Sequence, residues 1–396
     1  MSKIMAVNAG SSSLKFQLLE MPEAKELCSG IIERIGLDDS IFTIEVDGEK
    51  NKNIQDIKDH SVAVDLVLEA LTKYGVVKEL SEINGVGHRI VHGGEQFTQS
   101  TILTDEVAET IEKLSDLAPL HNPANLIGYQ SFKKALPGVG HVAVFDTAFH
   151  QTMPKESYIY PIPLEYYNDY AIRRYGFHGT SHLFVSKRAT ELLGNPATSR
   201  VITCHLGNGA SIAAVKDGKC INTSMGLTPL AGVMMGTRSG DIDPSIIAFL
   251  GNKIGKNADE VTDILNKKSG MLGISGKSSD ARDIEDGYHA NEERCVLTVD
   301  LYVHRVMEVI GSYIMQLGGV DAIVFTAGLG ENGIMFREKI IDAISGATGV
   351  KIDKERNDVR GKETLISSDD SSAKVFLIPT NEELVIAQDT QRLLDL

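Results

Sequence analysis

The sequence predicts an α/β protein made of two related halves, and three observations predict it. Short apolar, β-branched runs alternate with stretches of helical periodicity along the whole chain, the pattern of sheets covered by helices. A strand–turn–strand segment near the amino terminus has a counterpart almost half the chain later. The length, 396 residues, also exceeds what one domain of roughly 100–200 residues uses. Hydrophobic residues at 42% and charged residues at 23% give a chain with a full core. That balance excludes a disordered, collagen-like or disulfide-framework protein.

In chain order, residues 3–7 and 14–19 read as strands flanking the small-residue turn Gly10-Ser-Ser-Ser13. Apolar positions at three- and four-residue spacing predict a helix over 62–73. A strand at 85–90, helices at 106–117 and 123–134, and a strand at 141–145 complete the first half. The Pro-bearing stretch 153–163 is the expected domain crossover. In the second half, strands at 200–204 and 211–215 flank Gly207-Asn-Gly-Ala210, repeating the layout around Gly10. A long helix at 291–317, strands at 322–326, 350–352 and 374–378, and a last helix at 382–394 follow. If the echo is a duplication, a ligand held between the halves touches both turns.

Lys and Arg number 39 against 54 Asp and Glu, a net charge of −15. Such a chain repels nucleic acid and anionic membranes, so neither is an expected partner. An anionic small molecule stays compatible where a few placed cations override the global field. The four cysteines (Cys28, Cys204, Cys220 and Cys295) are scattered and form no C-x-x-C pair. That spacing fits a reducing compartment and argues against structural zinc. The apolar run at 4–7 is too short for a signal-peptide core, and no stretch reaches the ~18 apolar residues of a membrane span. The expected location is cytoplasmic.

The two turns carry the means to bind phosphate: close-approaching glycine backbone, consecutive N–H groups, hydroxyls and, after the first turn, Lys15. A plain hairpin explains either turn alone equally well. Gly276-Lys277-Ser278 lacks the glycine at position 271 that a P-loop requires, since Met271 stands there. Gly328-Leu-Gly330-Glu-Asn-Gly333 matches G-x-G-x-x-G after a strand, with Asp353 twenty residues on. A dinucleotide enzyme is therefore the alternative reading, although Glu331 would set a carboxylate beside a pyrophosphate. His88 and His92, like His178 and His182, are four apart, but neither pair has the Glu of a zinc helix. Arg89 and Arg238, each with glycine nearby, are the candidate anion clamps. Asp146 ends a strand where α/β proteins place functional side chains, or caps a turn. Glu382 and Glu383 start a helix, where compensation of the helix dipole alone accounts for acids.

Taken together, these segments resemble the acetate kinase family. The similarity is carried by residues 7–15 and 205–212, and by His88-Arg-Ile-Val-His-Gly-Gly94 and Phe145-Asp-Thr-Ala-Phe-His150. It continues in Tyr175-Gly-Phe-His-Gly-Thr-Ser-His182, Gly236-Thr-Arg-Ser-Gly-Asp241 and Thr380-Asn-Glu-Glu383, in order along essentially the whole chain. The resemblance implies two domains with a duplicated actin-like, ribonuclease H-like core closing around a nucleotide. They span residues 1–150, completed by 383–396, and 151–382. It also implies a homodimer, Mg²⁺ (with Mn²⁺ as alternative), ATP or ADP, and acetate or acetyl phosphate. By motif, Asn8 and Glu382 resemble the metal-side residues. Lys15, the run His205, Leu206, Gly207, Asn208, Gly209, the run Asp280, Ala281, Arg282 and the run Gly328, Leu329, Gly330, Glu331, Asn332 resemble the nucleotide contacts. Arg89 resembles the substrate-carboxylate ligand, and Val91, Leu120, Phe177 and Pro229 the pocket for its methyl group. Asp146, His178 and Arg238 resemble the catalytic residues. An actin-like or chaperone-like ATPase is the non-enzyme alternative.

Overall fold

Two mixed sheets, of eight and six strands, organise the chain. The computed structural model describes residues 1–396. It divides into one unit of residues 1–149 with 381–396 and a second of residues 150–380.

In the first unit, β1 (Ser2–Ala9), β2 (Ser13–Met21), β3 (Lys25–Glu33), β4 (Ser40–Val46) and β5 (Glu49–Gln55) form an antiparallel meander. β6 (Ile83–Ile90) and β8 (Gly140–Phe145) add in parallel on the other side of β1, and the short β7 (Thr101–Ile102) closes that edge. β1 is central because Ile4, Met5, Ala6 and Val7 bury both of its faces, as strands covered on two sides do. The helix His60–Lys73, capped by Asp59, lays Ala63, Val64, Val67 and Leu71 against Met5, Leu14 and Phe16 on one face. The last helix, Glu382–Leu393, covers the other face through Ile386 and Ala387. Glycine at position 87 of β6 lets it lie close, since a Cβ there would collide with Ile386 and Thr390.

In the second unit, β9 (Arg200–Leu206), β10 (Ala210–Lys216) and β11 (Lys219–Thr223) are antiparallel neighbours. β12 (Ala322–Thr326) and β14 (Lys374–Leu377) run parallel to β9, with β13 (Thr364–Leu365) at the edge. The order β11-β10-β9-β12-β14 repeats β3-β2-β1-β6-β8 with the same strand directions. The long helix Glu293–Leu317 buries Cys295, Val299, Tyr302, Val306, Ile310 and Tyr313, an apolar stripe at helical spacing.

All eight core strands expected from the apolar runs are present, and both small-residue turns join antiparallel neighbours. Three of the differences bear on how the pattern reads. The helix expected over 106–117 ends at Lys113 and tightens into a 3₁₀ turn, Leu114–Asp116. The strand at 350–352 is only a single bridge between Ile352 and Ser367. The sequence pattern also gave no strand over β3, β4 and β5, whose Lys, Glu and Asn residues blur the alternation while suiting a sheet edge. No helix is long and apolar enough to cross a membrane, and all four cysteines are free and buried.

Candidate active site

At the end of β6, Arg89 meets Asp146 just beyond β8, because parallel pairing brings the two strand ends level. The contact is bidentate: Arg89 Nε donates to Asp146 Oδ1 at 2.8 Å and Nη2 to Oδ2 at 2.6 Å. The Asp146 side chain is 2% exposed and that of Arg89 21%. The segment after Arg89 is fixed by two asparagines of the helix Asn122–Ala135. Asn125 accepts from Val91 N and donates to Ala9 O, while Asn122 accepts from His92 N and donates to His92 O. Neither asparagine was singled out by sequence; their only signal was the Asn-Pro-Ala-Asn run opening that helix.

The first turn of the last helix adds acids to this end of the sheet. Asn8 pairs across the hairpin with Lys15, and Lys15 forms an ion pair with Glu383. Glu382 is partly buried. Burial raises its carboxyl to about 7; Arg89 opposes that, Asp146 and Glu383 add to it, and Lys15 opposes it. Burial works against the charge of Arg89, but Asp146, Glu382 and Glu383 outweigh it and hold its guanidinium well above the usual value. Val91 is 5% exposed and Leu120, on the same unit, 70%.

In the second unit, the turn between β9 and β10 is closed by Gly207 N donating to Gly209 O at 3.1 Å. A Cβ placed on Gly209 would lie 3.4 Å from Arg238 Nη1 and 3.6 Å from His178 Nε2, so both side chains face this turn. His178 adopts a left-handed conformation, φ 56°, at the start of the helix Gly179–Leu192, a strain borne more often at functional positions than elsewhere. Its ring stacks on His205 with centroids 4.1 Å apart, and His205 Nδ1 contacts Ser181 Oγ. Arg238 donates to Pro229 O at 3.2 Å and has no acid partner; burial pulls its guanidinium below the usual value. Phe177 is 1% exposed, its carbonyl accepting from His150 Nε2.

Beside the same turn opens a cavity of about 650 Å³, within the size range of cofactor sites. Gly207, Asn208, Asp280, Ala281, Arg282, Gly328, Leu329 and Asn332 line it. His205, Leu206, Gly209, Gly330 and Glu331 are not on its wall, and Lys15 belongs to the first unit. Gly236, Met271, Glu285 and Arg360 line it without having been expected. Glu331 turns its carboxylate onto Ala327 N at 2.9 Å and Thr380 N at 3.1 Å. Asp353 caps the short helix Lys354–Asn357 through Glu355 N and Arg356 N. Both acids of the dinucleotide alternative are thus committed to backbone.

Arg337 is the residue sequence reasoning missed outright. It is 0% exposed and donates to the carbonyls of Gly330, Glu331, Asn357 and Val359 and to Asn357 Oδ1. It ties the glycine-rich segment 328–332, part of which lines the cavity, to the segment leading to Arg360. Burial, and then Arg360, lower it to about 10. No group of three or more His, Cys, Asp or Glu is arranged to hold a metal ion.

The chain matches the profile of the Acetokinase family over residues 3–388. Acetate kinase from Bacillus subtilis (strain 168) is 57% identical over 394 residues, covering 99% of this chain and 100% of that protein. The crystal structure of Porphyromonas gingivalis acetate kinase superimposes with a TM-score of 0.95 at 47% identity, covering 100% of both chains. A propionate kinase from Francisella tularensis subsp. tularensis SCHU S4 does so with a TM-score of 0.94 at 41% identity, covering 99% of this chain and 100% of that one.

Proposed function

The chain belongs to the acetokinase family, and on that premise we propose that it transfers the γ-phosphoryl group of ATP reversibly to acetate, in line, giving acetyl phosphate and ADP. The full-length identity to acetate kinases carries this reading. It makes the protein a phosphotransferase with a carboxyl acceptor.

The local chemistry supports it. An acetate carboxylate, near the ~4 of side-chain acids, is already ionised at neutral pH and needs no general base. The obstacle is the approach of one anion to another, met by positioning and charge neutralisation. Arg89 has five N–H donors; Asp146 takes two, leaving three for the substrate carboxylate. With both oxygens engaged, Asp146 acts as a positioning residue for Arg89 rather than as a proton donor. Val91 and Phe177, both buried, with Leu120 and Pro229, are assigned to the methyl group. The cavity beside Gly207 is assigned to the nucleotide, and His178 and Arg238, facing Gly209, to the transferring phosphoryl group.

Asn8 and Glu382 fit Mg²⁺. Both offer hard oxygen donors, and a carboxyl raised to about 7 by burial and neighbouring acids gains from a cation beside it. One or two protein ligands suffice for an ion that keeps waters and phosphate oxygens. Bound there, Mg²⁺ (or Mn²⁺) would neutralise charge on the phosphate oxygens. The same reading makes the protein a cytoplasmic homodimer that serves acetyl-CoA formation; the free, buried cysteines suit a reducing compartment.

The test is ATP- and Mg²⁺-dependent acyl phosphate formation, trapped with hydroxylamine, across acetate, propionate and butyrate. Acetate is expected to lead, with each added methylene costing about 1–3 kcal/mol of discrimination. No product with any of the three refutes the proposal.

A further inference from the structure

Four side chains of the second unit form one hydrogen-bonded row. Thr203 Oγ1 lies 2.7 Å from His182 Nδ1, His182 Nε2 lies 2.7 Å from Ser211 Oγ, and Ser211 Oγ lies 2.9 Å from His178 Nδ1. Thr203, His182 and Ser211 are each 0% exposed. The four-residue spacing of His178 and His182 therefore hangs two imidazoles on one serine. Thr203 and Ser211 come from the paired strands β9 and β10, so the β9–β10 hairpin sets the row's geometry.

Each hydroxyl has one hydrogen to donate, and a neutral imidazole has one N–H. Burial, and then the neighbouring His150 and His205, hold His182 well below its ordinary value, so it is neutral. Two directions of donation run along the row; a third arrangement, with Ser211 accepting from both imidazoles, leaves the hydrogen of a fully buried Ser211 hydroxyl without an acceptor. In the first, His178 Nδ1–H donates to Ser211, Ser211 to His182 Nε2, and His182 Nδ1–H to Thr203. The Thr203 hydroxyl hydrogen then has no acceptor, because His182 is the only partner of Oγ1. In the second, Thr203 donates to His182 Nδ1, His182 Nε2–H to Ser211, and Ser211 to His178 Nδ1. Every donor within the row then meets an acceptor. A buried hydroxyl left unmet disfavours the first direction by roughly tenfold or more.

We propose that Thr203, His182 and Ser211 are positioning residues whose hydroxyl–imidazole–hydroxyl row fixes the tautomer of His178, so that His178 presents Nε2–H as a donor beside Gly209 and Arg238. Resting on the phosphotransfer reading, this gives the site a neutral donor aimed where phosphoryl charge develops, next to a permanent cation. It also accounts for the 178–182 pair without a metal.

The test is the ¹⁵N spectrum of the imidazoles in the full-length protein without ligands, the His178 signals being assigned with His178→Gln. The expected pattern for His178 is a protonated, pyrrole-type Nε2 and a pyridine-type Nδ1. Ser211→Ala and Thr203→Val, which each remove a hydroxyl, should give mixed His178 tautomers, whereas Thr203→Ser should keep one. Ser211→Ala should also lower kcat on the order of tenfold to a hundredfold, with the ATP KM within about twofold. A protonated Nδ1 on wild-type His178 overturns the proposal, as does an unchanged tautomer in Ser211→Ala. The wild-type spectrum decides even where a variant fails to fold. Because it requires no turnover, absence of acyl phosphate formation would leave it standing.

Discussion

Arg89 and Asp146 are bound to one another but unequally exposed, and the inequality predicts which partner is worse to lose. Arg89→Ala strands a carboxylate that is 2% exposed, beside Glu382 and Glu383, with Lys15 as the remaining nearby cation. Removing one partner of a buried pair costs about 3–5 kcal/mol, and this variant should fall in that range near neutral pH. Asp146→Asn strands a guanidinium that is 21% exposed. It keeps Glu382 and Glu383 as countercharges, and the new amide still accepts one N–H, so about 1–2 kcal/mol is expected. The double variant should recover most of the Arg89→Ala loss, because no buried charge is then left alone.

The pH dependence follows from Glu382. Its carboxyl stands at about 7 against an ordinary 4.5, so between those values the folded state holds more protons than the unfolded one. Stability from this group is complete below the unfolded value and is lost as pH rises through the folded one. Arg89 draws Glu382 down; without it the window widens, and the Arg89→Ala deficit should be larger at about pH 8 than at about pH 5. Urea midpoints of the four proteins at both pH values, free of nucleotide and metal, measure this. Equal losses in the two single variants, independent of pH and without recovery in the double variant, would refute the reasoning.

Glu382→Gln removes an unfavourable charge and should stabilise the ligand-free protein by about 1–3 kcal/mol above pH 7. No gain is expected below the ordinary carboxylate value of 4.5, and Mg²⁺-dependent acyl phosphate formation should be lost. Thermal unfolding against pH checks the first part, and a gain that persists in acid contradicts it. Arg238→Ala should lower kcat on the order of a hundredfold with a smaller change in ATP KM; steady-state kinetics with a near-normal kcat would remove Arg238 from the phosphoryl site. Arg337→Met leaves the carbonyls of Gly330, Glu331, Asn357 and Val359 unmet and should cost at least about 3 kcal/mol. It should also weaken stabilisation by ADP, which calorimetry with and without ADP would show.

The core was legible where local chemistry and tertiary role coincide. β1, β9 and β12 are buried on both faces, so they had to be apolar runs. The two hairpin turns had to contain small residues, and those are the strongest punctuation a sequence offers. Legibility failed where a strand's surroundings are solvent, as in β5, whose Glu-Lys-Asn-Lys-Asn run is exposed. It also failed where a residue's role lies across the fold. Glu382 and Glu383 look alike at a helix start; only the structure shows that Glu383 meets Lys15 while Glu382 carries the raised carboxyl. Thr203 and Ser211 looked like ordinary strand positions, because their partner His182 is on a helix that precedes both.

Charge is the case in which sequence neighbours mislead most. Arg238 stands three positions before Asp241, which reads as a self-satisfied pair. The structure spends Asp241 on Gly232 N and leaves Arg238 partly buried without an acid. Arg337 precedes Glu338 directly, yet it turns inward onto carbonyls while Glu338 pairs with Lys354. Arg188, Arg200 and Arg282, by contrast, each meet an acid at the surface, where such pairs contribute little. A net charge of −15 is thus a property of the surface acids. Within that acidic surface, Arg238 stands beside a glycine turn without an acid partner, and Arg89 is held by Asp146 with three N–H donors to spare.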